Sequence, residues 1–221
     1  MQPTKIPWAD FVCNPVKGVC PMGCWYCYAR DIYKHWGIDP TIRFDEAELA
    51  KVVHRKKPTK IFWGSTMELF GEWVEDEWLE RIIDVVWDTP QHTHIFLTKR
   101  PGRLSDWGFP NNCWTGVSID GTGALRVHLR KLDGLFHANS RTKFISFEPL
   151  LGDCNEFSLM EIDWVIIGAL SQGGRHTMPK REWVEDIINR ADQQGIPVFM
   201  KPELHSLGLT MREEWPREEK P

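Results

Sequence analysis

The sequence has no run of about 18 apolar residues, the least that would cross a bilayer as a helix, so neither a membrane span nor a membrane partner is expected. It has no apolar signal core behind its first residues, Met1-Gln-Pro-Thr-Lys-Ile-Pro. The expected compartment is therefore the cytoplasm, where grouped unpaired thiols stay reduced. Disulfide staples are not needed: the 221 residues are 42% hydrophobic, enough for a substantial core, and the six cysteines are bunched rather than spread. Excess positive charge is also missing. A net charge of −4 argues against general polyanion binding and leaves only local basic groups, Arg55–Lys57, Lys99–Arg103 and Arg126–Lys131, to hold phosphates. With no internal repeat and no low-complexity linker, the expectation is one domain over 1–221. Its core would span about 8–205, and a charged tail, 206–221, would be solvated and partly frayed.

What the sequence does contain is a concentration of thiols. Cys20-Pro-Met-Gly-Cys24-Trp-Tyr-Cys27 places three cysteines at C-x3-C-x2-C spacing, with the aromatic Tyr26 just before the last. Thiolates are the preferred ligands of iron–sulfur clusters and of zinc, and cysteines this close can grip one polynuclear centre. A four-iron cluster normally takes four thiolates; three from one loop leave one iron open for chemistry. A zinc knot is the alternative, with Cys13 or His35 as fourth ligand. Structural zinc sites usually pair two short hooks, whereas Cys113 and Cys154 stand alone and no His-x3-His pair occurs. The zinc reading would make the chain a zinc- or iron–sulfur-stabilised nucleic-acid-binding module without catalysis. A metal-dependent hydrolase would need His and carboxylate pairs at strand ends, and His92, His94, His128, His137, His176 and His205 show no such grouping.

Around this loop the chain alternates short apolar runs with amphipathic segments. Residues 8–19 read as an irregular first strand, and strands follow at 60–64, 94–98, 113–118, 143–147, 163–168 and 197–200. Helices are expected from Tyr28 to a stop at Gly37, then over about 45–56, 75–88, 121–135 and 179–194, with a short one after Pro101. No helix is evident between Phe147 and Asp163. The pattern is that of an α/β protein with parallel strands, a partial (β/α)6-type TIM barrel. In such architectures function gathers at the carboxyl ends of the strands. Ser65, Thr66, Lys99, Ser118, Glu148 and Lys201 all follow or close a strand. Ser65 and Asp120 are readily explained as caps, but long charged side chains such as Lys99, Glu148 and Lys201 at a strand mouth point into a shared cleft.

The cysteine spacing and its aromatic resemble the signature of the radical S-adenosylmethionine superfamily. Further segments extend the resemblance over most of the chain: Asn14-Pro-Val-Lys-Gly, Leu69-Phe70, Leu97-Thr-Lys-Arg-Pro101, Gly116-Val-Ser118, Phe147-Glu-Pro-Leu-Leu-Gly152 and Trp164-Val-Ile-Ile-Gly168. Together they are similar to a family of short radical-S-adenosylmethionine-like proteins of phages and prokaryotes. The resemblance implies a 4Fe-4S cluster on Cys20, Cys24 and Cys27 and reductive cleavage of S-adenosylmethionine to a 5′-deoxyadenosyl radical that takes hydrogen from a substrate. An external one-electron donor of flavodoxin or ferredoxin type is implied too. The usual Gly-Gly-Glu motif is replaced by Gly64-Ser65-Thr66, a departure that resembles the spore photoproduct lyase branch. Strand order then assigns Ser65 and Thr66 to the methionine ammonium, Lys99 to its carboxylate, Ser118 to the ribose and Tyr26 to the neighbourhood of adenine. Glu148 and Lys201 are the expected substrate contacts, and Cys13 a candidate hydrogen donor near the loop. The implied substrate is a nucleobase, nucleotide or nucleic acid. Relatives carry Gly-Gly-Glu-Ser-Gly near the sixth strand, where this chain has Gly168-Ala-Leu-Ser-Gln-Gly-Gly, so no role is carried to that loop.

Overall fold

Short strands that are apolar on both faces must be covered on both, and helical crossovers achieve this by packing on one face while the strands curve over the other. The computed structural model describes residues 1–156, 158–172 and 174–216. Its elements run β1 (Gln2–Pro3), β2 (Phe11–Cys13), β3 (Val16–Lys17), α1 (Tyr28–Trp36), β4 (Arg43–Phe44), α2 (Ala47–His54) and β5 (Lys60–Trp63). Then come α3 (Asp76–Asp88), β6 (Thr93–Thr98), a 3-10 turn (Pro101–Asp106), β7 (Cys113–Ser118), α4 (Leu125–Phe136), β8 (Thr142–Phe147) and β9 (Trp164–Ile167). The chain closes with β10 (Leu170–Gln172), β11 (Arg175–Thr177), α5 (Arg181–Gln194), β12 (Val198–Met200) and a second 3-10 turn (Pro202–Leu207).

Eight strands form one sheet in the order β1-β2-β5-β6-β7-β8-β9-β12. The seven from β2 onward pair in parallel, and only β1 is antiparallel. Among the described residues the two edge strands, β1 and β12, do not pair with each other, so the sheet is open: a mixed α/β fold with a mostly parallel central sheet. No helix occurs among the described residues between β8 and β9; Leu150, Leu159 and Ile162 bury that crossover instead.

Period-2 alternation sorts the strand residues between two cores. Ile61, Trp63, Phe96, Val117, Ile145, Val165 and Met200 pack with α2, α3 and α5 through Leu49, Val52, Leu79, Ile82, Val184 and Ile187. Val12, Phe62, Ile95, Trp114, Phe144, Ile166 and Phe199 fill the inner face, with Trp8 and Trp215. The same alternation corrects one expectation. Val12 faces inward, so Cys13 faces α2: it is fully buried, and its Sγ lies 3.7 Å from the Glu48 carbonyl. A thiol on the helix side of the sheet cannot deliver hydrogen at the inner face.

The tail also departs from expectation. Glu213 bridges Phe199, the Glu214 carbonyl accepts from the Trp164 indole at 2.8 Å, and Trp215 stacks 5.4 Å from the Trp164 ring. Two tryptophans and a phenylalanine left bare at the start of the strands are a stronger attraction than solvent for a segment containing one more tryptophan. Residues 217–221 lie outside the described residues.

Candidate active site

The parallel strands all end at one rim, and the cysteine loop is tied to it. β3 pairs with β4, which turns the chain back under the loop. Gly18 stands at φ +108°, where a Cβ would lie 2.7 Å from the Thr41 carbonyl oxygen, so only glycine passes here. Its amide donates to the Tyr33 hydroxyl at 2.9 Å, fastening the loop to α1. The Cys27 amide donates to the Cys24 carbonyl at 3.2 Å, and α1 begins at the next residue. Cys20, Cys24 and Cys27 are free, half-buried thiols. From the end of β5, the Glu68 amide donates to Cys20 Sγ at 3.4 Å. Among the described residues no three His, Cys, Asp or Glu side chains gather round a single point.

Separate groups of polar contacts line the rest of the rim. Asn14, just beyond β2, exchanges hydrogen bonds with the Ser65 hydroxyl at 3.1 and 3.2 Å and accepts from the Thr66 amide at 3.3 Å. The Tyr28 hydroxyl donates to the Ser65 carbonyl at 2.8 Å. At the end of β6, Lys99 Nζ donates to Ser118 Oγ at 3.1 Å, and Ser118 donates onward to the Glu148 carbonyl at 3.1 Å. Lys99 Nζ also sits 5.8 Å from the Tyr26 ring centroid, and the Tyr26 hydroxyl donates to Asp120 Oδ2 at 3.3 Å. Glu148 and Lys201, from β8 and β12, reach one another across Gly168 as an ion pair, with Glu203 3.6 Å from the amine. Gly168 makes this approach: a Cβ there would stand 2.8 Å from Lys201 Cδ and 3.1 Å from Glu148 Cγ. Ser146 is the register partner of Ser118 and shares the inner face of β8 with Phe144; its buried hydroxyl has no partner among the described residues.

The electrostatics follow from burial and these contacts. Burial pushes the Cys20 thiol up, against the pull of the Glu68 and Met22 amides, so a cationic centre is the natural means of releasing its proton. Desolvation, reinforced by Asp120, raises the Tyr26 phenol. Burial by itself would raise Asp120, but the Thr122 amide and hydroxyl and the Lys131 charge outweigh it and hold the carboxylate low. For Lys201 desolvation acts downward, and Glu148 and Glu203 overcome it, keeping the ammonium charged.

Every residue singled out at the strand ends thus reaches the same rim, together with three that sequence reasoning passed over. Asn14 lay within a quoted motif, Asp120 was read as a cap, and Glu68 gave no local signal at all. Glu68 is buried: its carboxylate accepts from the Thr98 hydroxyl, from the Lys99 amide at 2.7 Å and from the Phe70 amide at 3.2 Å. Of the basic groups, Lys99 stands at the rim, while Arg55, Arg100 and Arg103 are engaged elsewhere. Arg55 donates to Thr59 at the start of β5, the opposite end of the strands, and covers the Phe11 ring at 4.1 Å. Arg100 and Arg103 are engaged by Glu72, the Gly71 and Val74 carbonyls and Asp76. Hollows of about 660 and 630 Å³ lie elsewhere, one between α5 and residues 209–214 and one around Thr59, Pro90 and Asn112; neither is lined by a cysteine.

Comparison with known proteins agrees with this geometry at the level of fold. Residues 3–208 match the model of a family described as a protein of unknown function, DUF5131. No curated protein matches the sequence. Among solved structures, spore photoproduct lyase complexed with dinucleoside spore photoproduct aligns with a TM-score of 0.61 at 16% identity, over 91% of this chain and 79% of that one. A cysteine-to-serine mutant of spore photoproduct lyase aligns with a TM-score of 0.63 at 15% identity, over the same shares of 91% and 79%. At such identity the likeness is one of fold. Among the described residues no helix is long and apolar enough to cross a membrane.

Proposed function

The chain belongs to the DUF5131 family, and from that premise we propose that it is a radical S-adenosylmethionine enzyme acting on a nucleobase, nucleotide or nucleic acid. The observation that carries the reading is the position of Glu68. Its amide meets the sulfur of Cys20 while its carboxylate sets the backbone of Lys99, so the thiol loop and the strand-end cation are built as one unit. The fold shared with spore photoproduct lyase, seen with a dinucleoside spore photoproduct, supports both the chemistry and the substrate class.

The donor set fits a site-differentiated 4Fe-4S cluster: three free thiols from one loop, half-buried at the strand mouth, with an amide aimed at one sulfur. Cys20, Cys24 and Cys27 would hold it and leave one iron open to the amino and carboxylate groups of S-adenosylmethionine. With electrons from a flavodoxin- or ferredoxin-type donor, the chemistry supplied there is reductive cleavage to methionine and a hydrogen-abstracting 5′-deoxyadenosyl radical. The protein's part is to bind, orient and exclude water. Ser65 and Thr66, ordered by Asn14, would accept from the N–H groups of the cofactor's amino group. Lys99 pairs with its carboxylate, held in place by Ser118 and Glu68. Ser118 keeps one lone pair for the ribose, and Tyr26, steadied by Asp120, offers its ring to adenine. Glu148 and Lys201 present a paired donor and acceptor to the substrate on the far side of the rim.

Anaerobic reconstitution with iron and sulfide, followed by dithionite and S-adenosylmethionine, tests the reading. We expect a brown protein with a broad band near ~400 nm, from thiolate-to-iron charge transfer, and 5′-deoxyadenosine that disappears when Cys20, Cys24 and Cys27 are replaced by Ala. A colourless protein that retains one zinc and leaves the cofactor intact would return the chain to the binding-module reading.

A further inference from the structure

The face of a helix that covers a sheet is ordinarily apolar, and a cation placed there needs an anion or a route to water. On α4 that face carries His128, Leu132 and Leu135, all buried, and in line with them the half-buried Lys131. Lys131 Nζ donates to the Ser118 carbonyl at 2.9 Å, at the end of β7. Ser118 is thereby held from two sides. Lys99 bonds its hydroxyl on the inner face of the sheet, and Lys131 bonds its carbonyl from the helix side.

The countercharge for Lys131 is incomplete. Its bonded partner is a neutral oxygen, and among the described residues it forms no direct ion pair. Burial lowers its ammonium below the usual lysine value, outweighing the attraction of Asp120, Cys24 and Glu68; Lys99 adds to the lowering. The Tyr26 hydroxyl bonds Asp120, so the thiol loop is tethered beside this cation. A positive charge short of partners favours any negative charge that forms close to it. A reducible centre on the three thiols becomes one unit more negative when it takes an electron, and net charge helps to set its potential. Lys99 cannot do the same, because it faces the cofactor's carboxylate and is neutralised by it. Lys131, behind β7, is out of the cofactor's reach.

We propose that Lys131 is a positioning residue for electron entry: its ammonium, fixed behind the end of β7, makes the centre held by Cys20, Cys24 and Cys27 easier to reduce. This rests on the function proposed above and adds to it a residue that touches neither cofactor nor substrate. One electron passes from the external donor to the centre, and Lys131 keeps its proton throughout.

The test is a dithionite titration of the reconstituted full-length protein without S-adenosylmethionine, with the reduced centre counted by electron paramagnetic resonance. Lys131→Met keeps most of the apolar stem and removes the charge. At the potential that half-reduces wild type, its ratio of reduced to oxidised centres should fall about tenfold, a midpoint about 59 mV lower for one electron. Lys131→Arg should stay near wild type. Asp120→Asn, whose amide oxygen still accepts from Tyr26, should shift the midpoint the other way. Lys143→Met is the control: that lysine bonds the Phe136 carbonyl at 2.9 Å at the opposite end of the strands, and its loss should move nothing. An unchanged midpoint in Lys131→Met overturns the proposal, and so does an equal fall in Lys131→Arg, which would trace the effect to packing. If Lys131→Met does not fold, Asp120→Asn decides, and a midpoint that fails to rise overturns the proposal. Failure of the broader reading looks different. Wild-type protein that takes up no iron–sulfur centre overturns both, whereas a midpoint that responds to Lys131 without any 5′-deoxyadenosine overturns the function alone.

Discussion

A buried carboxylate must have its oxygens occupied by donors, and at Glu68 those donors are the Thr98 hydroxyl and the amides of Phe70 and Lys99. Glu68→Ala should therefore cost about 3 kcal/mol of stability in urea, since it strands buried amides. It should also weaken S-adenosylmethionine binding by displacing Lys99, measured by calorimetry on the reconstituted protein. Glu68→Gln, which still accepts, should recover part of both. Lys99→Ala should lower cofactor affinity about tenfold or more, the value of one charge-assisted hydrogen bond, and leave urea stability nearly unchanged; unaltered affinity would remove the lysine from the cofactor's site. His94 makes a separate prediction. It is buried between the Trp63 indole, which donates to Nδ1 at 3.0 Å, and Thr89, and burial lowers its value from 6.5 to about 4. The unfolded chain takes up a proton there as pH drops below 6.5 while the folded chain cannot. The stabilisation is complete above that value and is lost progressively between 6.5 and about 4, by about 3 kcal/mol. Urea titrations at descending pH should show that slope in wild type and a shallower one in His94→Gln.

At the scale of elements, the strands and helices were legible because their periods are. The β7 span 113–118 was read to the residue, and α1 to its glycine stop; α2 proved shorter at both ends, and α4 starts four residues later than expected and ends one residue later. The last segment was misread because its signal is tertiary. Arg212, Glu213, Glu214 and Lys220 make 206–221 look solvated, yet Trp215 has Trp114, Trp164 and Phe199 as neighbours and Lys60 over its ring at 4.4 Å. Trp215→Ala should cost about 2–3 kcal/mol in urea unfolding, the loss of a half-buried aromatic with its stacking. Because this contact closes the start of the strands and the thiols lie at their ends, cofactor affinity should not move. A fall in both would mean that the two ends of the sheet are coupled.

Across the whole molecule one continuous sheet joins seven parallel strands whose neighbours in space are mostly neighbours in sequence. Such a sheet has no line along which to divide, so the metal-free protein should unfold in urea in one transition, superimposable by tryptophan fluorescence and far-ultraviolet circular dichroism. Separate transitions would point to two folding units. The sequence by itself determined the parallel architecture, the end of the strands at which polar side chains gather, and the thiol spacing, because each is a matter of period or of residues adjacent along the chain. The rest depends on distances between residues far apart in sequence, which no local pattern encodes. Only the tertiary structure turned Cys13 toward α2, since the facing of a strand residue is settled by which neighbours bury it. It alone brought the Glu68 amide to Cys20, 48 positions away, and drew Glu148 and Lys201 together across Gly168, 53 positions apart. It also decided that Trp36 of α1 stays bare while Trp215 does not: the helix already has a face in contact with the core, and the last segment has an unfilled end of the sheet to cover.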